Sequence, residues 1–97
     1  MTMLEKYTKK LERANDMVAY KKEFLIEIAK KYDVEENFET VPMGVLYEIL
    51  KNVITNEVCL VEVEDAYIIY KLNLREKRIL KEIIKDLKEF ETNQNEF

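Results

Sequence analysis

Ninety-seven residues with a single glycine, Gly44, and a single proline, Pro42, offer few places for a tight turn. Such a chain is built from long segments joined by few connections. Its hydrophobic content of 47% beside 37% charged residues is that of a globular chain, not a disordered one. One domain is expected at this length. Folding would bury roughly 60–65% of the surface of the unfolded chain, so stability is modest unless a partner adds to it.

The first long segment is written most plainly. Thr2 and Glu5 have the spacing of a capping box, in which each side chain satisfies a backbone N–H at a helix start. Leu4, Tyr7, Leu11, Ala14, Val18, Leu25, Ile28 and Tyr32 then recur in alternating steps of three and four, interrupted only by Lys21. Asp16 could cap a second helix, but the stripe passes Asn15 and Asp16 without a slip, and one helix from Met3 to Tyr32 is predicted. It would extend roughly 45 Å at 1.5 Å per residue, whereas a compact domain of this size has a radius of gyration of about 13 Å. The helix is expected to outreach its own domain, and a second copy of the chain is the simplest cover for its stripe. Leu4, Tyr7, Leu11, Val18, Leu25 and Ile28 are the candidate self-association residues of a homodimer.

Residues 33–40 form a polar connector, with Thr40 as the expected N-cap and Pro42 in the first turn of a second helix. That helix carries Val45, Leu46, Ile49, Leu50, Val53 and Ile54 and is expected to be the most buried. The stretch EVCLVEVEDAYIIYKLN is rich in Val, Ile and Tyr and predicts a β-hairpin over about residues 57–72, bending at Glu64-Asp65-Ala66. A ragged helix is the other reading of the same residues. Asn73 and Glu76 have capping-box spacing, so a C-terminal helix is expected to start there, with Ile79, Leu80, Ile83, Ile84, Leu87 and Phe90 on one face. The fold class is thus mainly α: a single helical domain over residues 1–90, with a frayed polar tail at 91–97.

The order AKKYDV, the helix VLYEILKN, a hairpin and YKLNLREKRIL resembles the layout of the winged-helix family. The resemblance implies a DNA-binding transcriptional regulator whose middle helix enters the major groove. Charge speaks against that use. Residues 33–65 hold nine acidic side chains against one base, Lys51, in a chain of net charge −4. DNA affinity comes largely from Lys and Arg neutralising phosphates, so nucleic acid is not the expected partner. A basic face elsewhere, drawn from Lys6, Lys9, Lys10, Arg13, Arg75, Lys77 and Arg78, is the footing left for it. The plainer reading of those side chains is a solvated helix surface.

The chain contains no His, no Ser and no Trp, and a single cysteine, Cys59. Ser/His and Cys/His nucleophilic pairs and His or multi-thiolate metal sites are therefore excluded. Cys59, in an apolar run, reads as a small buried hydrophobe. Glu23 and Glu27 lie one turn apart but lack the Glu-x-x-His partners of a di-metal bundle, and no Ca²⁺-loop motif accompanies Glu62, Glu64 and Asp65. Tyr67 and Tyr70 could stack on bases, though half-buried packing is the plainer account. No enzyme activity and no cofactor are expected. Without a signal-peptide core or a long apolar run, the expected location is the cytoplasm. The function expected is a regulatory protein–protein interaction domain, with Glu57, Glu62, Glu64 and Asp65 as candidate contacts to a basic partner.

Overall fold

The computed structural model describes residues 2–95, which form three helices: α1 (Met3–Lys31), α2 (Met43–Val53) and α3 (Glu57–Asn95). The chain is mainly α, as the sequence implies. α1 starts at the Thr2 cap, whose hydroxyl accepts from the Glu5 N–H at 3.1 Å, and runs unbroken past Asn15 and Asp16. It ends in a Schellman turn. Asp33 takes φ 56°, the Asp33 N–H reaches the Lys30 carbonyl at 3.2 Å, and the Val34 N–H reaches that of Ala29 at 3.0 Å.

α2 departs from expectation at its start. Pro42 is the N-cap, while the Thr40 hydroxyl donates back to the Asn37 carbonyl at 3.4 Å. Met43, Leu46 and Leu50 are buried, but Val45 and Val53 lie on an edge of the helix that stays open.

The larger correction concerns residues 57–72. The hairpin is not formed, no strand occurs among the described residues, and the stretch is the first half of α3. With the hairpin goes the winged-helix outline. The start signal is Asn56, whose side-chain oxygen accepts from the Cys59 N–H at 3.1 Å while its carbonyl accepts from the Leu60 N–H at 3.0 Å. Asn73 caps nothing: it sits inside the helix, its amide donating to the Ile69 carbonyl one turn back at 2.8 Å. Tertiary packing overrides the β-propensity of Val and Ile here, because Val63, Ala66, Tyr70, Asn73, Lys77, Leu80, Ile84 and Leu87 fall in alternating steps of three and four. The residues expected to fray from 91 continue α3 to Asn95, and residues 96 and 97 lie outside the described ones.

α1 lies antiparallel along α3. Leu25 and Ile28 share a cluster with Val63 and Ala66, Ala14 and Met17 border Asn73 and Glu76, and Tyr32 meets Cys59. The two stripes thus face each other, and residue numbers fall on α3 as they rise on α1. At the end nearest the connections, α2 seals the pair with Met43, Leu46 and Leu50, closing the core around Leu25, Ala29, Ile54 and Val63. Gly44 permits that approach, since a Cβ there would stand 3.1 Å from the Tyr67 hydroxyl. Further along only Ala14, Leu80 and Ile84 are buried, and the middle of the seam is half-buried Lys21, Asn73 and Lys77. The result is a rod of 63 × 25 × 15 Å with a radius of gyration of 18.0 Å. A helix with its side chains is about 10–12 Å across, so the shortest dimension admits a single layer. No helix among the described residues is long and apolar enough to cross a membrane.

Candidate interaction surface

The six residues offered for self-association lie on the face of α1 turned toward α3. Leu25 and Ile28 are in the core, and Leu4, Tyr7, Leu11 and Val18 are half-buried. α3, the longer helix, supplies their cover from within the chain. Lys21 is half-buried on the same stripe and lays its Nζ over the Tyr20 ring, 5.1 Å from the centroid.

α3 itself has a second apolar face, which the sequence reading missed. Val58, Val61, Ile68, Leu72 and Ile79 are each at least half exposed, from 50% at Ile68 to 68% at Val58. With Asp65 and Arg75 they again step by three and four, and they occupy the side of α3 opposite the Val63–Leu87 stripe that faces α1. The sequence carries this period, but overlaid on another. Between 58 and 79 two stripes share one helix, and their sum is the near-continuous apolar run that imitates strands.

The acidic candidates Glu57, Glu62, Glu64 and Asp65 are all exposed on the first turns of α3 but do not converge on one point. Glu57 and Glu64 are one heptad apart, Asp65 lies within the exposed apolar stripe, and Glu62 stands on its far flank. Glu64 accepts a hydrogen bond from the Tyr47 hydroxyl at 3.4 Å, and the Tyr47 ring stacks on Tyr67 with centroids 4.2 Å apart. Burial first, and then the Glu64 charge, raise the Tyr47 pKa above its ordinary value, so the phenol stays a neutral donor. Tyr67 in turn lies against Tyr70, centroids 6.3 Å apart, and under the Lys71 ammonium at 5.5 Å. These rings dock α2 onto α3 and stack on one another.

Among the described residues no three His, Cys, Asp or Glu side chains converge as metal ligands. Glu27 faces Lys30 at 4.0 Å in an exposed pair. Cys59 is half-buried against Tyr32, whose pKa is raised chiefly by the hydrogen bond between them. The depressions are shallow grooves between helix side chains, one of them lined by Lys71, Leu72, Leu74, Arg75 and Arg78. What the surface offers is an apolar stripe that runs through an acidic and then a basic stretch of one helix. Family models, curated proteins and solved structures provide no match to this chain.

Proposed function

We propose that the chain is a small non-catalytic interaction protein of regulatory type, which works by self-association. The observation that supports this reading is the exposed face of α3. Val58, Val61, Ile68, Leu72 and Ile79 stand open to water on a rod only 15 Å thick. Scattered apolar side chains are ordinary on a protein surface, but an aligned stripe with its own helical period marks a contact. Its removal from water stabilises an assembly by about 25 cal/mol for each Å² of apolar area buried. The acidic residues Glu57, Glu62, Glu64 and Asp65 steer a basic surface toward that stripe, which makes the encounter sensitive to salt.

Sedimentation velocity from low to high micromolar concentration tests the reading. A dimer or larger species is expected at high micromolar, with the thermal midpoint rising with concentration. A monomer throughout that range removes self-association from the account.

A further inference from the structure

The exposed stripe of α3 and the charges set into it have a symmetry of their own. Its members run Val61, Asp65, Ile68, Leu72, Arg75, Ile79. Read outward from the level of Tyr70, the series is its own complement: Ile68 mirrors Leu72, Asp65 mirrors Arg75, and Val61 mirrors Ile79. The charge blocks of the helix follow the same symmetry. Residues 57–65 hold Glu57, Glu62, Glu64 and Asp65 with no base, and the stretch that mirrors them, residues 75–83, holds Arg75, Lys77, Arg78 and Lys81 against two acids, Glu76 and Glu82.

We propose that the partner of this face is a second copy of the same chain, joined by an antiparallel α3–α3′ contact whose two-fold axis passes between Ile68 and Leu72, at the level of Tyr70 but on the opposite side of the helix. A two-fold contact is isologous, so whatever residue i meets, its symmetry mate meets i in return. About that axis Ile68 and Leu72 of one copy lie on Leu72 and Ile68 of the other, an apolar centre. On either side Asp65 meets Arg75 of the partner subunit, twice over, and beyond them Val61 meets the other copy's Ile79. The match ends where Val58 comes level with Glu82. The acidic start of each helix lies over the basic middle of the other, so the basic surface that Glu57, Glu62, Glu64 and Asp65 attract is carried by the protein itself. A parallel pairing would set like blocks together. An unrelated basic protein would have no reason to need a stripe that mirrors itself. The contact sits on the side of α3 away from α1, which leaves the antiparallel packing of α1 on α3 within each copy intact.

The inference rests on the self-association reading and is tested apart from it. Asp65 and Arg75 are exposed, so reversing either charge leaves the fold in place, which far-UV circular dichroism checks. In sedimentation equilibrium, Asp65→Arg alone and Arg75→Asp alone should each weaken the dimer about tenfold or more, because symmetry turns one substitution into two like-charge contacts. The double variant D65R/R75D should recover to within about threefold of the original, the pairs having been exchanged rather than lost. In a Cys59→Ala background, a chain carrying Val61→Cys should form a disulfide when mixed with one carrying Ile79→Cys, and not with itself. A dimer indifferent to the single reversals, or one in which Val61→Cys cross-links with itself, overturns the antiparallel register while self-association stands. A wild-type monomer overturns both.

Discussion

Asp65→Pro is expected to lower the thermal midpoint by about 15 °C or more at fixed protein concentration, from a loss of at least about 3 kcal/mol. Asp65 lies in the third turn of α3, where a proline removes an N–H that the helix ladder requires and drives its ring into the carbonyl four residues back. A chain of this size has only about 5–15 kcal/mol of stability to lose. The contrast that makes the experiment informative is Glu57→Pro. Glu57 is the first helical residue, where a proline's fixed φ suits the turn and its missing N–H costs nothing, so that variant should stay within about 0.5 kcal/mol of the original. Had residues 64–66 been a bend between two strands, Asp65 would have been the tolerant position. Equal midpoints for the two variants would contradict the continuous helix.

Leu50→Ala is the second large effect, expected to cost about 3 kcal/mol. Leu50 is fully buried, and with Leu46 and Ile54 it joins α2 to Leu25, Ala29 and Val63. α2 has eleven residues, too few to hold a helix in water without its packing, so truncating its anchor loosens the whole element. Amide exchange across residues 43–53 should accelerate more than exchange in the centre of α1, and the thermal midpoint should fall with it. A cost below about 1 kcal/mol would mean that the end of the rod is not sealed as described.

How much of this was written in the sequence differs from helix to helix. α1 was legible from cap to end because every local rule agreed: Thr2 at the start, one apolar stripe, and no glycine or proline within it. α3 was not, for three physical reasons. A helix apolar on two sides loses the polar face that identifies a helix, and Val58 through Tyr70 then read as strands. Polar side chains at Asn73 and Lys77 hide the middle of the stripe that faces α1. Finally, Asn56 and Asn73 are the same residue type with opposite roles. One accepts from the Cys59 N–H ahead of it, and the other donates to the Ile69 carbonyl behind it; only the surrounding packing tells them apart.

The candidate surface shared that fate. The length argument expected α1 to outreach its own domain and to need a second copy as cover, but α3, with 39 residues, is longer still. Once α3 is continuous it reaches along α1, and the apolar face without a cover is its own outer side. The acidic residues were found as a composition bias. Their relation to the basic stretch 75–83 emerges only when both stretches lie on one straight helix.

Everything rests on α3 being one rod from Glu57 through the region of Phe90. Spin labels at Val58→Cys and Phe90→Cys in a Cys59→Ala chain, diluted with unlabelled protein so that only distances within one copy are read, measure it by pulsed dipolar spectroscopy. The structure predicts a single distribution centred at about 48 Å, the rise of an unbroken helix at 1.5 Å per residue. A distribution near 25–30 Å, the reach left to a helix that begins only at Asn73, would contradict it.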